Sequence, residues 1–258
     1  MSAGTPASRA RPGVVGPGIA VLIVVAGLLG LGKWQLDRKV WKENLIHTLE
    51  ARLAAAPAEL PPPARWPDLT AADDEFRRIR LAAEFIPEAE ALVFTSGSTF
   101  RPDVTGPGYW VFAPARLPGG GLVVVDRGFV PEGRQDRATR SQGDVSGSLD
   151  LVGVMRWPEA PGWFTPQAEP ARNLWFVRDP QAIAQTKGWG EVAPFYIELE
   201  NPQPPGGLPQ VGPLKVNLSD DHLQYALTWF GLAAVVTASF VFWLGSRRRA
   251  VTSPRSSP

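Results

Sequence analysis

Two long apolar stretches, one toward each end of the chain, limit its architecture most. In "DDHLQYALTWFGLAAVVTASFVFWLGSRRR" residues 223–244 run for 22 positions without a charge, and about 20 suffice for a helix to cross the hydrocarbon core of a bilayer. The other stretch, "GVVGPGIAVLIVVAGLLGLG" at 13–32, exceeds the apolar core of a signal peptide, about 7–15 residues, and no small-residue cleavage pattern comes after it. The chain runs on instead into "KWQLDRKVWKENLIHTLEARLAAA", where Trp34, Trp41, Leu45, Leu49 and Leu53 recur at helical spacing. The expectation is an uncleaved transmembrane helix at 13–32, an amphipathic helix continuing it over 33–56, and a second transmembrane helix at 222–244.

Charge gives the orientation. Arg247, Arg248, Arg249 and Arg255 follow the second span, whereas Asp220 and Asp221 precede it. Lys33, Arg38, Lys39 and Lys42 after the first span argue the other way against Arg9 and Arg11 before it. The positive-inside count loses force ahead of a long translocated domain, so the carboxyl-terminal signal prevails. The tails 1–12 and 245–258 are expected in the cytoplasm and the intervening domain outside it.

That domain reads as β structure. A Pro-rich linker is expected over 57–75, then an external domain over 76–221. "FRRIRLAAEF" places Ile79, Leu81, Ala83 and Phe85 on one face and Arg78, Arg80 and Glu84 on the other, a half-buried strand. Further strands are expected at 91–96, 108–115, 121–130, 147–157, 173–179 and 194–200, separated by Gly and Pro clusters. One short helix, 179–188, has Asp179 as N-cap, Pro180 at its first position and Gly188 as its stop. The fold class is a mainly antiparallel barrel or sandwich with one or two short helices, flanked by two transmembrane helices.

Composition removes several kinds of chemistry. The chain has no Cys, so disulfides, thiol catalysis, Cys-based zinc sites and C-x-x-C-H haem attachment are excluded. A net charge of +1 without a clustered basic face does not suit nucleic acid. With 2 His, a Ser–His–Asp triad needs His47 or His222, and neither lies near a G-x-S-x-G elbow. "SGSTF" at 96–100 reads as a polar turn. Asp126 and Arg127, closing "GLVVVDR", read as an ion pair or turn contact at a strand end.

The membrane ends carry more chemistry. His222, Tyr225 and Trp229 share one helical face, and Gln224 and Thr228 share the adjacent one. Trp34, Gln35 and Arg38 lie just past the outer end of the first span, at the same expected boundary. Two readings stand at this point: an interfacial aromatic belt, or a pocket in which the imidazole ligates haem iron and Arg38 meets a propionate.

Four blocks resemble a known family. "GKWQLDRKVWKENLI", "VVVDRGFVP", "GWFTPQAEPARNLWFVRD" and "PPGGLPQVGPLKVNLSDDHLQYALTWFGLA" occur in order and are similar to signature stretches of the surfeit locus protein one family. The resemblance implies a bacterial assembly factor for haem–copper cytochrome c oxidase, with no enzymatic activity of its own. Haem a is its implied cofactor, to be delivered to nascent subunit I or stabilised there. It implies His222 as the iron ligand, with Trp34, Gln35, Arg38, Gln224, Tyr225, Thr228 and Trp229 around the haem. Arg127 and Gly128 match the second block and take a structural or partner-contact role. Implied partners are subunit I, haem a synthase and the lipid bilayer; the implied location is the bacterial inner membrane, with a periplasmic domain. Phe129 stands where the family has Trp, and Asp220 where it has Asn, a carboxylate able to hold the imidazole protonated. The alternative is a cofactor-free scaffold that stabilises an oxidase intermediate.

Overall fold

The computed structural model describes residues 13–216 and 220–252, with backbone only from 249. The expected tail 1–12 and the end of the basic tail, 253–258, lie outside the described residues. Two compact units emerge, one built from the residues up to 45 and those from 220 onward, the other from 46–216.

The first unit pairs two helices, α1 (Val15–Ala54, whose last turns belong to the second unit) and the carboxyl-terminal helix (His222–Thr252). Pro17 falls in the first turn of α1, where no intrahelical N–H is lost. The helix does not stop at the end of its apolar stretch. The next residues are good helix formers, and Lys33 reaches Asp37 at 2.7 Å.

Up to 45, the less exposed positions of α1 are 18, 21, 25, 28, 32, 35, 39 and 42, alternating steps of three and four. The carboxyl-terminal helix answers with 222, 226, 229, 230, 233, 236, 240, 243, 244 and 247. Spacing of this kind marks one face of each helix as a seam against the other. Small residues let the backbones approach: Ala226 and Ala233 are buried, and a Cβ added to Gly32 would lie 2.5 Å from the Phe230 ring. Away from the seam the helices stay apolar and bare, with Leu22 70% and Phe242 79% exposed. Both are long and apolar enough to cross a membrane, and hardly any of either apolar stretch is buried.

In the second unit, strands β1 (Ala58–Glu59), β2 (Arg78–Phe85), β3 (Ala91–Gly97), β4 (Thr105–Arg116), β5 (Leu122–Pro131), β6 (Ser148–Arg156), β7 (Leu174–Trp175) and β8 (Tyr196–Asn201) form one mixed sheet. Its order is β1-β2-β6-β8-β5-β4-β3-β7. The end of β4 also pairs with β2, Glu84 opposite Arg116 and Phe85 opposite Ala115. That contact closes β2, β6, β8, β5 and β4 into a five-stranded ring. Register shifts in β4–β5 and β6–β8 supply the bends closure requires. Five of the eight ladders are antiparallel, in line with the expected fold class, while β1–β2, β3–β7 and β5–β8 run parallel.

Burial follows the sequence pattern strand by strand. Ile79, Leu81 and Ala83 point into the ring with Val123, Val125, Leu151, Met155 and Ile197. The first half of β5, 122–125, is apolar without alternation because its other face is covered too, by a second cluster holding Trp110, Phe112, Trp175 and Ile183. Residues 57–75 hold β1, a 3-10 segment (Pro63–Asp68) and the one-turn helix α2 (Ala71–Asp74). Trp66 from this segment is buried, edge-on to Phe195 at 5.7 Å, with its indole N–H on the Pro61 carbonyl at 2.9 Å. The strand expected at 173–179 shrinks to Leu174–Trp175. The chain then turns into α3 (Pro180–Lys187), where the Asp179 carboxylate accepts from Gln181 and Ala182 and Gly188 ends the helix at φ 69°. The carboxyl-terminal helix is hereafter α4.

Candidate functional site

Just ahead of α4 the Asp220 carboxylate accepts from the His222 backbone N–H at 3.0 Å, the turn contact that Asp makes with its own backbone two residues on. This carboxylate oxygen is engaged by backbone. The His222 ring meets α1 instead: Nδ1 lies 2.8 Å from Oε1 of Gln35. Trp229, two turns along, faces the same seam and is half-buried.

The remaining residues of the expected cluster face outward. Trp34 and Tyr225 are each 56% exposed. Gln224 and Thr228 are exposed, the Thr228 hydroxyl donating to the Gln224 carbonyl of its own helix at 2.9 Å. Arg38 is exposed, its guanidinium 3.9 Å over the Trp41 ring. Contact between the helices thus joins Gln35 and His222 and leaves Trp34, Arg38, Gln224, Tyr225 and Thr228 along its flanks. The seam runs through 222, 226 and 229, which turns Tyr225 to one side.

The donor set suits haem. A half-buried imidazole has an amide against one ring nitrogen, aromatic rings stand on the same helix, and a guanidinium lies one turn past Gln35 for a carboxylate. His47 is exposed in the second unit, and Met155 is sealed in the ring interior. No group of three or more His, Cys, Asp and Glu able to hold a bare metal ion occurs among the described residues.

The middle of β5 has a different chemistry: Asp126 and Arg127, expected to close a strand, lie inside one that runs on to Pro131. Adjacent strand residues point to opposite faces, so Asp126 and Arg127 do not pair. Arg127 donates to the Gly143 carbonyl at 2.7 Å, lies 3.6 Å from Asp144 and stacks 4.8 Å over Phe85. Burial lowers its pKa, a pull that Asp144 and Glu90 oppose. Gly128 has φ 115°, and a Cβ there would sit 2.4 Å from the Gln210 carbonyl, because the 210 segment bonds the backbone of Phe129 in both directions. No side chain fits that crossing.

Asp126 is fully buried, with one carboxylate oxygen on the Gly128 N–H at 3.0 Å. Burial first, then the charge of Glu198, push its carboxyl up to about 7 against the pull of Arg178. Glu198 receives Arg156 at 3.1 Å and Arg178 at 3.4 Å on one oxygen. Arg178 also stacks 4.6 Å over Trp110. Sequence reading missed this ion cluster; its signal was the charges in "VMRW", "FVRD" and "YIELE", which interrupt otherwise buried strand ends. The cluster borders a cleft of about 240 Å³ lined in part by Thr95, Ser98, Thr99 and Glu159, so part of the "SGSTF" turn forms its wall.

Two apolar helices flanking a mixed β domain define the class, a membrane-anchored β-domain protein. The SURF1 family model matches residues 22–234. Surfeit locus protein 1 of Rattus norvegicus is 34% identical over 229 residues, covering 84% of this chain and 72% of the rat protein. The SURF1-like protein of Monosiga brevicollis is 35% identical over 231 residues, 86% of this chain and 85% of that one. Surfeit locus protein 1 of Homo sapiens is 32% identical over 229 residues, 84% and 74%. The chain belongs to the SURF1 family, whose members are known as cytochrome oxidase assembly factors.

Proposed function

We propose that this protein is an assembly factor for haem–copper cytochrome c oxidase that binds haem a through His222. On this reading it passes the haem to nascent subunit I, or stabilises it there, at a bacterial inner membrane. The observation that carries the reading is the His222 imidazole, half-buried where two apolar helices meet and engaged through one nitrogen by an amide rather than by a carboxylate. A neutral imidazole is the usual proximal ligand of haem iron.

Haem would supply the redox-active iron that the oxidase later uses; the chain's part is to hold and to release. His222 would be the ligand, Trp229 and Tyr225 would offer ring faces, and Arg38 would meet a propionate. Release without bond chemistry calls for a binder rather than a catalytic constellation.

The test is the absorption spectrum of the detergent-purified protein after co-expression with a haem a-making system. Wild type should carry haem, and His222→Ala should lose most of it, roughly tenfold or more, while accumulating normally. A wild type free of haem that still supports oxidase assembly would replace this reading with the cofactor-free scaffold.

A further inference from the structure

We infer that Gln35 is a positioning residue that holds His222 in the tautomer protonated at Nδ1, leaving Nε2 as the nitrogen with a free lone pair. The bond joins residues 187 apart in sequence, with the Gln35 amide oxygen 2.8 Å from Nδ1. A carbonyl oxygen only accepts, and a neutral imidazole has one N–H to give. The proton therefore sits on Nδ1. The same bond fixes the ring plane, because Gln35 is on α1 and His222 opens α4. Gly32, less than one turn before Gln35, faces the same seam and lets the helices come close enough for the bond to form.

The consequence for iron rests on the haem reading; the tautomer does not. Ligating histidines commonly give their other N–H to a carbonyl or carboxylate, which sets the tautomer and raises ligand basicity. A carboxylate in this place would make the imidazole a stronger donor. A neutral amide orients the ring and leaves it a moderate donor, as suits a carrier that must give its cofactor up.

Nitrogen-15 NMR of the cofactor-free full chain in nanodiscs, labelled on histidine and recorded at alkaline pH, tests the tautomer directly. With 2 His in the chain, His47→Gln leaves the His222 signals alone. Nδ1 should appear as the protonated nitrogen and Nε2 as the bare one. Gln35→Leu should abolish that preference, and Gln35→Glu, which keeps an acceptor at the same reach, should preserve it. On the loaded protein Gln35→Leu should weaken haem retention about tenfold or more and Gln35→Glu should restore it. A wild type protonated at Nε2, or a preference untouched by Gln35→Leu, overturns the inference even if His222 binds haem. The expected tautomers in a wild type that takes up no haem uphold the positioning role and sink the haem reading instead.

Discussion

Asp126 and Arg127 are neighbours in sequence with unrelated tasks. Arg127 pins the loop carrying Gly143 and Asp144 against Phe85, whereas Asp126 takes the opposite face of the sheet, beside Glu198 and Arg178. The carboxyl of Asp126 stands at about 7 when folded, against an ordinary value of 3.8. Between those values the folded protein keeps a proton that the unfolded chain has released. The contribution is full below the unfolded value and is lost as pH rises through the folded one, at up to about 1.4 kcal/mol per pH unit. Chemical denaturation of the solubilised protein should show stability falling from pH 4 toward about 7, and Asp126→Asn should flatten the slope. An unchanged slope in Asp126→Asn would assign it to another group. The sequence offered an ion pair or a turn contact at a strand end; instead the two side chains take opposite faces within β5, and their partners come from distant segments.

Helix periodicity put His222 and Trp229 on one face of α4 correctly, yet it also placed Tyr225 there. The face that meets α1 is chosen by size: Ala226 and Ala233 on one side and Gly32 on the other allow the closest approach. Gly32→Val should therefore spread the pair, at a cost of about 1–3 kcal/mol for overpacking. Cysteines at 35 and 222 of this cysteine-free chain should cross-link efficiently with a short bifunctional reagent. Adding Gly32→Val should cut the yield severalfold, with Gly32→Ala in between because the Phe230 ring can swing aside. Equal yields in all three would mean that Gly32 does not set the spacing.

For the molecule as a whole, the charge asymmetry around the second span predicts the topology. Arg247 to Arg249 belong on the cytoplasmic side and Asp220 and Asp221 opposite. In intact spheroplasts an impermeant thiol reagent should label a cysteine replacing Ser98, and should reach one replacing Ser253 only after permeabilisation. The reverse pattern would invert the protein and move the His222 end to the inner face of the membrane.

Whatever depends on a single element could be read from residue order. Length and the lack of charge defined the two apolar helices, alternation defined β2, and Asp179-Pro180 with Gly188 bounded α3 to within a residue. Which elements meet is settled by packing between them. Closure of the ring by β2 against β4, the parallel pairing of β5 with β8, the Trp66 plug from a Pro-rich segment, the Arg156–Glu198–Arg178 cluster and the Gln35–His222 bond all join distant positions. Periodicity tells a residue which way it faces along its own helix or strand. What stands opposite depends on how closely two backbones can approach and on which polar groups burial leaves seeking a partner.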